Sequence, residues 1–271
     1  MEPVIMRRAF TLIELLVVLG IVTLLASVML PSLKSVRENS RSSECASRLR
    51  QLSVAAQSYA NVFREVFPPA ILFEMTPSGV RTVAWDFVQD SSGGVQPGPL
   101  WSFTDHPFTV QQCPSFDGSS TFGADPYTGF NYNTSFIGAE GSWPIMGENG
   151  EVLSGWRNAR RGLSMNQHRH PTDTALFGDG GWQGGANKFM RAPSATVEMD
   201  LGIVYAGAQA FRHLGCTNVA WLDGHVRGVC QACTGMHAAQ STSAAFAYLQ
   251  SPLGWPQNGF LSDDDSSYDP R

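Results

Sequence analysis

The chain opens on two hydrophobic patterns laid end to end. From Phe10 to Leu30 (FTLIELLVVLGIVTLLASVML) nearly every position is apolar, and the single charge is Glu14. As a helix this run is about 30 Å long, the thickness of one bilayer core. Arg7 and Arg8 precede it, which puts the N-terminus on the cytoplasmic side and everything after Leu30 outside. Past Pro31 the apolar positions take helical spacing: Leu33, Val36, Ser40, Ser43, Ala46, Leu49, Leu52, Ala56, Tyr59 and Phe63 form one face. Arg37, Arg41, Glu44, Arg48, Arg50 and Arg64 form the other. The pattern predicts a helix to about Val66, stopped by Pro68-Pro69, with a kink or local melting at Pro31. The face is weak at Ser40 and Ser43, so residues 32–67 are expected to pack on a head domain rather than pair as a coiled coil.

From residue 70 onward glycine, proline and short β-favouring runs dominate. Strands are predicted at Arg81–Gln89, Thr174–Asp179 and Gly202–Arg212. Thr217–Leu222 and His225–Val229 flank Asp223-Gly224, which reads as a two-residue hairpin turn. Residues 90–170 read mostly as loop, residues 236–250 as a short helix, and the ending SDDDSSYDPR as a mobile acidic tail. The fold class expected is α+β: a long N-terminal helix packed on an antiparallel sheet head, residues 70–271, with large loops.

Composition narrows the function classes. With 43% hydrophobic and 15% charged residues in 271, the chain is not a disordered one. A net charge of −5 gives no general attraction to nucleic acid, and the basic residues of 34–50 read as a solvated helix face. Glu14 bears most on the class, because a lone carboxylate in an apolar span costs a few kcal/mol and usually marks a function. A secretory signal would be cut near Ala26-Ser27-Val28, a poor small-x-small site. A plain signal anchor has no use for Glu14, and a buried core helix has none for the arginines.

The segment Arg-Arg-Ala-Phe-Thr-Leu-Ile-Glu-Leu-Leu-Val-Val, residues 7–18, resembles the cleavage and methylation segment of type IV prepilins and type II secretion pseudopilins. The resemblance implies a type IV pilin-like fold. It also implies a leader at 1–9, a membrane and fibre-core helix at 10–31, and cleavage of the Ala9–Phe10 bond by prepilin peptidase. Phe10 would then be N-methylated. Ala9 stands where the family usually has Gly. Glu14 becomes the fifth mature residue, placed to meet the new ammonium of a neighbouring subunit, and Pro31 falls where many pilins also carry a proline. A second likeness lies at the hairpin. His213, nine residues, then Asp223-Gly224 is similar to the H-x(9)-D-G signature of a processing-associated group of prepilin-like proteins, with Cys113-Pro114-Ser115 and Asn131-Tyr132-Asn133 as weaker matches. The partners implied are other pilin or pseudopilin subunits, the peptidase, the assembly machinery and, through 10–30, membrane lipid. The location implied is the inner membrane with the head in the periplasm or, after assembly, at the cell surface.

Five cysteines, Cys45, Cys113, Cys216, Cys230 and Cys233, cannot all pair within the chain, and an exported head would be expected to hold two bridges and one thiol. Connectivity is open. Cys230 and Cys233 form a CxxC pair near His213, Cys216, His225 and His237, so zinc is the alternative to disulfides there. His213, Asp223 and His225 could gather as an acid/base group, though a structural hydrogen-bond role is the simpler reading. Asp263, Asp264, Asp265 and Asp269 fit no EF-hand spacing. The expectation is a structural subunit of a type IV pilus or type II secretion-like fibre, with no catalytic residue, cofactor, metal or nucleic-acid partner. The alternatives are a signal-anchored envelope protein whose head binds a ligand or metal without polymerising, and a metal or redox enzyme in the head.

Overall fold

A computed structural model of the chain describes residues 11–104, 112–116, 129–141, 145–149, 152–154, 162–181, 188–195, 207–239, 241–249 and 257–271. It divides into two compact units, Met1–Ser40 and Arg41–Arg271. The architecture is the α+β one expected: a long N-terminal helix followed by an antiparallel sheet head.

The first unit holds the start of helix α1 (Leu12–Val62). Its apolar stretch has no buried part, and it is the one helix among the described residues long and apolar enough to cross a membrane. The helix continues through Pro31, so the melting expected there does not occur. Leu33 and Val36, expected on a packed face, are 59% and 64% exposed.

The second unit begins on the same helix at Arg41. Cys45, Leu49, Leu52, Ala56 and Ala60 recur at spacings of three and four and are fully buried. Ser53, Ala55 and Ala56 keep this face low, which lets the helix approach the sheet closely. The helix stops four residues short of the expected Val66. Arg64 and Glu65 adopt left-handed φ of 56° and 64°, and the Glu65 amide donates to the Ala60 carbonyl at 2.8 Å, a six-to-one bond of the kind that closes many helices. Glu65 is held there by the Met165 amide, which donates to its carbonyl at 2.7 Å, and by the Asn166 side chain on its carboxylate. The prolines that were expected to end the helix lie beyond this cap.

Strands β1 (Ile71–Thr76), β2 (Gly79–Ala84), β3 (Phe87–Gln89) and β4 (Val95–Pro97) form an antiparallel meander. The single strand expected at 81–89 is thus two, broken at Trp85-Asp86. Beyond them run β5 (Phe130–Asn133), β6 (Ile145–Met146), β7 (Val152–Ser154), β8 (Ala175–Gly181), β9 (Phe189–Met190), β10 (Ala208–Ala210), β11 (Thr217–Trp221), β12 (Val226–Val229) and β13 (Asn258–Gly259). Strands β12, β11, β8, β10 and β13 pair in that order, with β5 on β8 and β9 parallel to β5, while β6 and β7 form a separate pair. All seven residues of β8 are buried, as expected of a central strand covered on both faces.

Side-chain alternation builds two cores. Ala220 and Phe177 face the cluster that holds Leu49, Leu52 and Ala56 of α1. Val219, Trp221 and Ala175 face a second cluster with Tyr248, Phe260 and Tyr268. Tyr248 belongs to helix α2 (Thr242–Leu249), within the short helix expected at 236–250. Tyr268 belongs to the acidic ending, which is docked rather than mobile. The Tyr268 hydroxyl accepts from the Leu261 amide at 2.8 Å, and the Ser267 carbonyl accepts from Ala175 at 2.8 Å. Burial of one aromatic ring outweighs the polar character that the sequence presents there.

The hairpin between β11 and β12 has a three-residue loop, Leu222-Asp223-Gly224, instead of the two-residue turn expected. The Gly224 amide donates to Trp221 and the Trp221 amide to His225, both at 2.9 Å. Gly224 sits at φ 94°, a value that L side chains adopt only with strain, and this fits a loop closed by a left-handed glycine. A Cβ there would also stand 3.2 Å from Gln57 Nε2, which donates to the Leu222 carbonyl.

A buried ion pair ties the meander to the larger sheet. Lys188 Nζ lies 2.6 Å from Asp86 Oδ2 and 4.3 Å from the centre of the Phe87 ring. Burial pushes Lys188 down to about 8 and Asp86 upward, against the attraction between them.

Four variants test this packing by urea denaturation of the head, residues 32–271. Gly224→Ala is expected to lose about 1–2 kcal/mol, and Asp223→Ala no more than about 1 kcal/mol, since its partner His225 is exposed. Lys188→Met strands Asp86 and is expected to cost about 3–5 kcal/mol, whereas Asp86→Leu combined with Lys188→Met recovers a large part of that.

Candidate functional site

At the N-terminal end the described residues begin with Thr11, so Ala9 and Phe10 lie outside them. Thr11 and Glu14 form a capping box. Glu14 Oε2 accepts from the Thr11 amide and hydroxyl, both at 2.8 Å, and the Glu14 amide donates to Thr11 Oγ1 at 3.2 Å. The same Thr-x-x-Glu spacing that reads as part of the processing segment thus also starts the helix. Glu14 Oε1 accepts no bond among the described residues, so one oxygen is left for a further donor. Around it Leu12, Ile13, Leu15 and Leu16 are exposed, an apolar surface suited to lipid or to other apolar helices.

In the head the predicted site residues separate into three groups. Cys216 and Cys230 form a disulfide one position beyond the Thr217–Val229 pair, so the bridge closes the open end of the β11–β12 hairpin. Cys230 is therefore not half of a free CxxC pair with Cys233, which is a half-buried thiol. One bridge and three thiols replace the two bridges and one thiol expected. Asp223 pairs with His225, Oδ1 to Nδ1 at 2.6 Å, on the exposed loop. His213 does not join them. It sits in a tight turn before β11, its amide donating to the Cys216 carbonyl at 2.9 Å and the Cys216 amide donating back at 3.0 Å. The two halves of the H-x(9)-D-G pattern thus lie at opposite ends of one strand.

His213 instead closes a buried cluster with Cys45, Cys113 and Asp179, whose ligand atoms all lie within 4.8 Å of one another. Asp179 comes from β8, Cys45 from α1 and Cys113 from the segment 112–116. Cys45 Sγ donates to Asp179 Oδ1 at 3.1 Å; His213 Nε2 lies 3.3 Å from Asp179 Oδ2 and 3.3 Å from Cys113 Sγ. The Asn218 amide donates to Asp179 Oδ2 at 2.9 Å, and its side chain donates to the carbonyl and hydroxyl of Ser42 at 3.1 Å. Arg212, next to His213, donates to the carbonyls of Gly129 and Gly180 at 3.0 and 2.6 Å.

The protonation pattern follows from burial set against these contacts. Burial lifts the Cys45 thiol well above its ordinary value, with Cys113 and the Asp179 charge acting the same way. Burial also opposes ionisation of Cys113, but the Cys45 hydrogen bond, the Arg212 charge and His213 bring it down to about 7. For His213, burial disfavours the cation, and hydrogen bonds to Asp179 and Cys113 overcome this and raise it to about 10. Asp179 stays below the usual carboxylate range, because His213 and Arg212 outweigh its desolvation. The arrangement can serve as a buried ion pair or as a set of metal ligands.

Sequence reasoning placed Cys113 and His213 near chemistry but missed Cys45 and Asp179. Cys45 falls on the buried helix face and reads as one more small apolar residue, and Asp179 ends a strand otherwise read for its β propensity. No local spacing links the four, which come from distant parts of the chain. The C-terminal acids also go separate ways. Asp263 Oδ1 accepts from the amides of Thr234 and Gly235, both at 3.0 Å, and Asp265 binds Ser194 through its amide and hydroxyl.

No curated protein and no solved structure matches the chain. Residues 6–30 match the family described as prokaryotic N-terminal methylation motif, so the chain begins with a prepilin-type processing segment and an apolar helix suited to membrane anchoring.

Proposed function

We propose that the chain is a structural subunit, a pseudopilin or minor pilin, of a type IV pilus or type II secretion-like fibre, and that it is not an enzyme. The observation that carries this reading is the methylation motif over residues 6–30, with Glu14 fifth after the Ala9–Phe10 bond. Prepilin peptidase cuts that bond, and the new amine of Phe10 is methylated. In the fibre, the ammonium of one subunit meets Glu14 of a neighbour. Each charge alone is costly in an apolar surrounding, and together they neutralise one another. The capping box supports this role, because Thr11 holds the carboxylate through Oε2 and leaves Oε1 for the incoming donor. The pair sets register, while apolar contact between helices over residues 10–30 supplies cohesion.

The topology follows from the same features. Arg7 and Arg8 hold the N-terminus in the cytoplasm. The Cys216–Cys230 disulfide suits a head in an oxidising compartment such as the periplasm.

Glu14→Ala is expected to leave processing and membrane insertion intact while lowering recovery in sheared fibres, or in cross-linked multimers from native membranes, by roughly tenfold or more. Glu14→Asp should recover part of the loss. Wild-type amounts of assembled Glu14→Ala protein would contradict the role given to Glu14. A chain found only as a monomeric anchor, wild type included, would contradict the fibre-subunit reading itself.

A further inference from the structure

The head contains one convergence of ligand atoms among the described residues, and the fibre role does not use it. Cys45, Cys113, Asp179 and His213 are 0%, 1%, 0% and 4% exposed, and a helix, a loop, a central strand and a tight turn bring them together. We propose that these four side chains bind a single zinc ion in a closed structural site, through Cys45 Sγ, Cys113 Sγ, one carboxylate oxygen of Asp179 and Nε2 of His213.

The spacing favours ligands around a common centre over a plain hydrogen-bond network. Zinc bonds of about 2.0–2.3 Å in a tetrahedron place neighbouring ligand atoms about 3.3–3.7 Å apart. The separations of 3.3 Å from His213 to Asp179 and 3.3 Å from His213 to Cys113 lie at the short end of that range, the 3.1 Å from Cys45 to Asp179 lies just below it, and all four ligand atoms lie within 4.8 Å of one another. A charge-assisted bond between imidazole and carboxylate would instead close to about 2.7–2.9 Å. His213 Nε2 stands equally far from a sulfur and an oxygen, as a donor atom facing a shared centre would.

The donor set and its surroundings fit this metal. Two thiolates, an imidazole and a carboxylate suit a borderline-soft tetrahedral ion. Binding forms four bonds to the metal; the Cys45 thiol proton, the proton on His213 Nε2 and whatever proton Cys113 still carries leave to solvent. Two thiolates, one carboxylate and a neutral imidazole around Zn²⁺ leave one net negative charge, which the adjacent Arg212 guanidinium balances. An outer layer is also present: the Asn218 amide fixes Asp179 Oδ2, and the Asn218 side chain reaches Ser42 on the helix that supplies Cys45. With four protein ligands and burial, no coordination position is left for substrate. The ion would pin α1 to the centre of the sheet. The pattern's histidine then has a ligand role, while its Asp-Gly serves the hairpin at the far end of β11.

The test uses the full-length protein, extracted in detergent without a metal-chelating tag or chelator, and elemental analysis. About one equivalent of zinc per chain is expected. Cys45→Ser and Cys113→Ser should lose it, and Cys233→Ser should keep it. Since a ligand variant may unfold, a second measurement uses wild type alone. Stripped and reduced protein, titrated with Co²⁺, should develop tetrahedral d–d bands and a thiolate charge-transfer band that saturate at about one equivalent, and added Zn²⁺ should bleach them. Three results would overturn the proposal: wild type without zinc that gives no such cobalt spectrum, a Cys45–Cys113 disulfide in the native protein by peptide mass, or zinc lost equally in Cys233→Ser. None of these results bears on whether the chain enters a fibre.

Discussion

A carboxylate near the start of an apolar helix has few stable arrangements. It can stay protonated, cap its own helix, or meet a cation, and only the last makes its charge useful in a low-dielectric setting. Glu14 already caps through Oε2 by way of Thr11, and a second oxygen remains. In the proposed fibre the cation is made by processing, because cleavage before Phe10 converts an amide into an ammonium. Assembly would then depend on a charge absent from the precursor, so an uncut chain cannot enter in register. The exposed apolar surface between Leu12 and Leu30 has the complementary part: it is non-directional and leaves the choice of register to the charged pair.

The head uses the same helix differently. From Cys45 to Ala60 the buried face is narrow and built of small residues and leucines, and the sheet lies close against it. Strand β11 is fastened to the helix at both ends, through Asn218 to Ser42 on one side and Leu222 to Gln57 on the other. The H-x(9)-D-G pattern brackets this strand. Its histidine reaches the buried cluster and its Asp-Gly closes the hairpin, so in this chain the spacing between them is the length of a strand with its two anchors and not a single composite site. This explains why a His and an Asp that look like a pair in the sequence never meet.

Legibility followed how local each signal was. The apolar span, the helix beyond it, the central strand at 175–181, the hairpin and the short helix at 242–249 were readable because their periodicity or turn chemistry lies within a few residues. The helix end was misread because Arg64 and Glu65 carry no sign of left-handed conformation, and contacts from Met165 and Asn166 impose it. The acidic ending was read as mobile because its charges outnumber its one decisive aromatic, Tyr268. The cluster of Cys45, Cys113, Asp179 and His213 was invisible for the same reason in stronger form. Cys45 and His213 are 168 positions apart by their numbers, and only the packing of α1 on the sheet brings them together.

Processing at a defined bond is what separates a fibre subunit from an anchored or secreted protein with a similar head. The most direct measurement is N-terminal sequencing combined with intact mass of the protein isolated from its native membrane. The account predicts a chain that begins at Phe10, carries one methyl group on its amine and retains the whole apolar helix. A chain that keeps its first nine residues, or that begins beyond Leu30, would contradict it.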